Sequence, residues 1–171
     1  MMKKGAIALC FVFGLNLFTF GAVPDFNGAW ILDKAQSDAI PTPGAALFGG
    51  AVTSKPPADL NFFMAVQQDE SSLRIATQWS NGSPTYVVYT LDGKESRIAG
   101  DRGGDFLCKS NWEGDKLVIG CGRKVVTPFG DIVTNTKEEW SLSADGKTLT
   151  VTTTTSGSQG GQTRKQVYHK K

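Results

Sequence analysis

Residues 108–121 read CKSNWEGDKLVIGC, with a cysteine at each end and Gly114-Asp115 in the middle. A two-residue turn at Gly114-Asp115 makes Glu113 face Lys116 and fixes every pair beyond it. Trp112 then faces Leu117, Ser110 faces Ile119 and Cys108 faces Cys121. Hydrogen-bonded and non-hydrogen-bonded pairs alternate along an antiparallel ladder, and counting out from the turn puts the cysteines on a non-hydrogen-bonded rung. Their Cα atoms are expected roughly 4.5 Å apart there, at the short end of the disulfide range. The spacing predicts a β-hairpin stapled by a Cys108–Cys121 disulfide, which closes in an oxidising compartment. The alternative is a pair of independent buried thiols. No Cys-x-x-Cys suggests redox exchange.

The same grammar recurs along the chain. Asp69-Glu70-Ser71-Ser72 separates FMAVQQ from LRIATQW, so that Val66 faces Ile75, Met64 faces Thr77 and Phe62 faces Trp79. Asp92-Gly93 follows YVVYTL, and Asp-Gly is a strong short-range hairpin signal. Ala144-Asp145-Gly146-Lys147 separates EEWSLS from TLTVTTTT, pairing Leu142 with Leu149 and Trp140 with Val151. Large apolar residues fall on one face of each strand while Thr, Lys, Ser and Gln fill most of the other. That alternation is the requirement of an antiparallel sheet with one buried face.

About ten strands are predicted, near 28–33, 61–68, 72–79, 85–91, 94–99, 105–112, 116–126, 131–142, 147–155 and 162–169. Short connections make consecutive strands neighbours, and a long twisted meander tends to close because closure removes unpaired edges. The fold expected is all-β: an antiparallel up-and-down barrel of about 8–10 strands. One connection is long and proline-rich, at residues 34–60, and reads either as a lid or as a plain surface loop.

The chain opens with Lys3 and Lys4, then an almost wholly apolar run, then Gly21-Ala22. That is the order of a secretory signal peptide, predicted over residues 1–22 with cleavage after Ala22. Residues 23–171 are then one domain, secreted or periplasmic. An uncleaved anchor is the rival reading, but the apolar run falls short of the roughly 20 residues that span a bilayer. The full chain carries 18 basic and 16 acidic residues. Loss of Lys3 and Lys4 would leave the charges balanced, with no basic face for a nucleic-acid partner. No later apolar stretch is long enough for a membrane span, and the strands expected are short for an outer-membrane barrel. Nothing in the sequence specifies an oligomeric state.

Catalytic signals are sparse. His169 is the sole histidine and sits in the basic C-terminal tail, so neither a histidine-based triad nor a histidine-ligated zinc site is expected. Glu138 and Glu139 are adjacent and point to opposite faces of a strand, so they cannot act as an acid–base pair. No phosphate-binding glycine loop precedes a helix. A non-enzymatic protein without metal or cofactor is expected.

FNGAWILD (residues 26–33) resembles the Gly-x-Trp opening of lipocalins and intracellular fatty-acid-binding proteins. WEGDKL and WSLSADGKTL resemble two hairpins shared by a group of small secreted bacterial proteins of this lipocalin-like, or calycin, type. The resemblance implies a long excursion between the first two strands and a barrel end closed by Trp30. A basic residue of the last strand packs over that tryptophan in lipocalins, and Arg164 is the matching candidate, through a cation–π contact. In fatty-acid-binding proteins an Arg and a Tyr two residues apart hold the ligand carboxylate. Here Arg164 and Tyr168 are four apart with Gln166 between them, so carboxylate binding is not implied.

Two functions are consistent with these residues. The first is a binding module that holds an apolar or amphipathic small molecule among Phe62, Trp79, Tyr89, Trp112, Trp140 and Tyr168, with residues 44–52 gating the mouth. The second is a structural or protein-interaction barrel in which the same aromatics are simply the core.

Overall fold

The structure, a computed structural model, describes residues 23–38, 60–100, 104–157 and 160–171. The expected signal segment 1–22, the proposed gate 44–52 and most of the 34–60 connection lie outside the described residues. Ten strands form: β1 (Gly28–Leu32), β2 (Phe62–Gln68), β3 (Ser72–Trp79), β4 (Thr85–Thr90), β5 (Glu95–Ile98), β6 (Phe106–Glu113), β7 (Lys116–Thr127), β8 (Gly130–Leu142), β9 (Thr148–Gly157) and β10 (Gly160–Lys170). No strand end differs from the sequence expectation by more than two residues. β7 and β8 are longer than most, at 12 and 13 residues.

All pairings are antiparallel, in the sheet order β4-β3-β2-β1-β10-β9-β8-β7-β6-β5. The sheet curls into a nearly closed barrel. β4 and β5 follow one another in sequence yet occupy its two edges, so the wall has a seam between them. The predicted registers hold: Phe62↔Trp79 and Val66↔Ile75 across β2–β3, Ser110↔Ile119 across β6–β7, Trp140↔Val151 across β8–β9. Gly114 carries φ +65° while Asp115 keeps a negative φ, so the β6–β7 turn needs glycine at its first central position. This turn holds Cys108 opposite Cys121, with Cα atoms 4.1 Å apart and the disulfide formed on the inner face.

Period-two alternation sends one set of residues inward. Met64, Val66, Leu73, Ile75, Val87, Leu117, Ile119, Leu149 and Val151 are buried there. Residues 24–27, just before β1, close one end. Phe26 stacks on Trp112 at 5.9 Å and meets Trp140 edge-on at 5.7 Å. Its carbonyl accepts a 3.0 Å hydrogen bond from Trp30 Nε1, and its N–H donates to Gln68 Oε1 at 2.9 Å. Gln68 Nε2 donates in turn to the Pro24 carbonyl at 2.9 Å. The segment is thus tied down at both its backbone and its ring.

Trp30 is buried at this end, and the cation over its ring is Lys170, not Arg164. Lys170 Nζ lies 5.3 Å from the ring centroid, and β1 pairs Trp30 directly with Lys170. Arg164 sits six residues earlier on β10, paired with Thr153. β1 is too short to reach it, and the register, rather than the residue type, decides which cation meets the tryptophan. Beyond β1 the chain stays bonded to β10: Asp33 N–H donates to Val167 O at 2.8 Å and Asp38 N–H to Lys165 O at 2.8 Å. His169, half-exposed, contacts Asp33 Oδ2 through its Nε2 at 3.0 Å.

Two measurements check this architecture. The intact mass of protein folded under oxidising conditions should be two hydrogens below the reduced value, with Cys108 and Cys121 unreactive to alkylation until reduced. Trp30→Ala should cost roughly 3–5 kcal/mol as a buried aromatic truncation, and Lys170→Ala about 0.5–1 kcal/mol. A double-mutant cycle should show coupling for Trp30 with Lys170 and none for Trp30 with Arg164. The reverse pattern would contradict the register at β1.

Candidate functional site

The inner wall is not uniformly apolar. One lateral row, read from the paired strands, runs Ser110 (β6), Ile119 (β7), Glu138 (β8), Thr153 (β9), Arg164 (β10). Neighbouring inward positions add Arg123, Thr136 and Gln166, all buried. On the opposite side of the barrel Thr77 is buried as well. The interior therefore has an aromatic base under Phe26 and a polar belt above it, concentrated on β7–β10.

Glu138 is the centre of that belt. It is 5% exposed, and Trp140 Nε1 donates to its Oε2 at 3.0 Å. Loss of hydration raises its carboxyl pKa, and the tryptophan bond offsets this only in part. Tyr89 and Tyr168 have hydroxyls pushed upward first by burial and then by the charge of Glu138, which places all three groups in one interior neighbourhood. Tyr168 OH bonds to Gln166 Oε1 at 3.2 Å. Gln166 thus stands two residues before Tyr168, where the resemblance described above would have placed an arginine for a ligand carboxylate. Arg164 turns its guanidinium to Gln162 Oε1 at 2.5 Å. Arg123 lies over the Phe106 ring at 4.9 Å. Among the described residues Ser110 Oγ, Thr77 Oγ1 and Arg164 Nε are buried without a hydrogen-bond partner.

The six residues expected to line a ligand all touch the core, but in separate groups. Trp112 and Trp140 pack under Phe26 and form the base. Phe62 meets Trp79 edge-on at 5.1 Å and Tyr168 at 6.5 Å, making a second aromatic group. Phe62 and Trp79 sit at the end of the barrel from which the long connection leaves β1 and returns to β2. Tyr89 reaches the centre from β4 and is fully buried. Sequence reasoning missed Glu138 as an interior residue, treating it only as unsuited to catalysis beside Glu139. Counting back two positions from inward Trp140 would have found it. It also missed Phe26, which precedes the first strand and follows no strand period.

A solvent-open cleft of about 560 Å³ lies outside the closed end, lined by Pro24, Asp25, Asp115, Ser143, Asp145 and Lys170 among others. It contains none of the six aromatics. Among the described residues no group of three His, Cys, Asp or Glu side chains is placed to hold a metal ion.

No protein-family model matches the chain, and no curated protein does. Solved structures do match. A zebrafish ileal bile-acid-binding protein complexed with cholic acid is similar over 85% of this chain and 98% of its own, at 20% identity and TM-score 0.57. Human cRBP IV covers 86% of this chain and 98% of its own, at 22% identity and TM-score 0.58. Lipid binding protein 8 of Caenorhabditis elegans covers 85% and 95%, at 11% identity and TM-score 0.55. The chain shares the antiparallel up-and-down barrel fold of these proteins. Two of these neighbours are binding proteins by description, and at such identities the likeness speaks for the fold.

The raised pKa of Glu138 has a consequence for stability with a definite sign. A carboxyl whose pKa is higher folded than unfolded stabilises the folded state while neutral, and that contribution is lost as pH rises above its ordinary value of 4.5. Glu138→Gln cannot ionise. Denaturant unfolding at acid and alkaline pH should therefore show the variant gaining on the wild type as pH rises. A constant difference between the two proteins across the range would contradict the assigned burial.

Proposed function

We propose that the protein is a secreted or periplasmic carrier that holds one apolar or amphipathic small molecule inside its barrel, without catalysing its conversion. The observation that carries this reading is the inner wall, where among the described residues the buried Ser110 and Thr77 hydroxyls have no partner and the buried Glu138 accepts a single tryptophan N–H. Buried polar groups in a filled, self-sufficient core are nearly always paired, and each orphan costs about 1–3 kcal/mol. Polar groups left open inside the barrel are what a site for a partly polar guest would keep. The aromatic groups on either side, Phe62–Trp79–Tyr168 and Phe26–Trp112–Trp140, supply apolar surface for the remainder of such a guest. The descriptions of the structural neighbours, which name a bile acid and lipids, agree with this class of ligand. The Cys108–Cys121 disulfide supports an oxidising compartment, in line with the leader-like residues 1–22.

The test is ligand titration of folded protein stripped of lipid by partial unfolding and refolding. An anilinonaphthalene dye should bind saturably at about one molecule per barrel, shifting tryptophan emission, and long-chain amphiphiles should displace it. Absence of saturable binding across fatty acids, alcohols and quinones would leave the filled structural barrel as the better account.

A further inference from the structure

We propose that Glu138 receives the polar end of the bound molecule, and that this end is a neutral hydroxyl group, as in a long-chain alcohol. This rests on the reading of the interior as a ligand site.

The argument begins with unused hydrogen-bonding capacity. An ionised carboxylate has about four acceptor sites, and among the described residues Glu138 accepts one hydrogen bond, from Trp140 Nε1. Among the described residues no cation is bonded to it. Arg164 shares its row but lies two strands away, roughly 10 Å at the usual strand spacing, and its guanidinium is turned to Gln162. Ser110 shares the row on the other side, with a buried hydroxyl that has no partner. Thr77 offers a second such hydroxyl from the opposite wall. A donor aimed at Glu138 would use its spare acceptor sites.

Charge then narrows the class. A carboxylate head group would add a second anion beside Glu138 in a space with little water, which like charges disfavour. An ammonium head group would suit Glu138 but would share the wall with the Arg123 and Arg164 guanidinium groups. Tyr89 and Tyr168 are neutral at ordinary pH and favour neither. A hydroxyl group brings no charge and donates to the carboxyl oxygen. Buried polar sites built around a donor reject analogues that lack one, because the acceptor is then left desolvated and alone.

The experiment is competition at pH 8 against the anilinonaphthalene dye with three matched chains: dodecanol, dodecanoate and dodecylamine. In the wild type, dodecanol should displace the dye at roughly tenfold lower concentration than either charged analogue, as one hydrogen bond to a buried charged group predicts. Glu138→Gln keeps the acceptor for Trp140 but presents an amide donor as well. Its preference for dodecanol over dodecanoate should shrink to about threefold or less. Equal or tighter binding of dodecanoate or dodecylamine by the wild type would overturn the proposal, without needing any variant to fold. So would an alcohol preference that survives Glu138→Gln in a variant whose circular dichroism matches the parent. Dye binding in the same cuvette separates the two readings. Saturable dye binding with no alcohol preference removes the head-group assignment alone, whereas no dye binding removes both.

Discussion

A barrel wall made of single strands has one inside, and every second residue of every strand must live there. The whole molecule depends on that constraint. Because the side-chain period is two, a one-residue slip in any hairpin would exchange the inner set for the outer one. The short turns prevent it. Gly114 with its positive φ fixes β6 against β7, and once Glu113 faces Lys116 the positions of Ser110, Cys108 and their partners follow without further choice. The same inheritance runs on through β8, β9 and β10, so one turn contributes to placing Glu138 in line with Arg164.

This is why so much of the fold could be read from the sequence. Hairpin registers are local arithmetic, and Phe62↔Trp79, Cys108↔Cys121 and Trp140↔Val151 each needed only a turn and a count. Contacts that join sequence-distant strands are another matter. The cation over Trp30 is set by where the five-residue β1 meets β10, and no turn connects those strands. Type matching selected Arg164, whereas pairing selects Lys170. Phe26 was invisible for a similar reason: it belongs to no strand, and its burial follows from side-chain bonds between Gln68 and the backbone of Pro24 and Phe26.

The candidate site was partly legible. Aromatic residues on inward positions were found because large apolar side chains announce themselves in an alternating pattern. The polar members were legible in part: the hairpin counts already set Ser110 opposite Ile119 and Thr77 opposite Met64, whereas Thr153 and Glu138 look in sequence like the outward half of a strand. For Glu138 the neighbour two positions away, Trp140, is what reveals the inner face. A polar residue in phase with aromatics is the signature to search for in such barrels. It marks where the wall departs from oil and acquires chemical preference.

The seam between β4 and β5 gives the barrel a weak direction. β5 is four residues long and is hydrogen-bonded on one side only, to β6. Fraying should begin there and travel inward strand by strand, as a zip opens from its free end. The Cys108–Cys121 bond lies on the very next rung, where Cys108 pairs with Ser96 on one side and Cys121 on the other. A covalent tie across so short a loop shifts the global balance modestly, by about 3 kcal/mol on loop-entropy grounds. Its position matters more: it is an end stop. Amide exchange in oxidised protein should spread from β5 and halt at β6, and a reducing environment would let the opening run on into the long β7–β8 hairpin that carries Arg123, Thr136 and Glu138 of the polar wall.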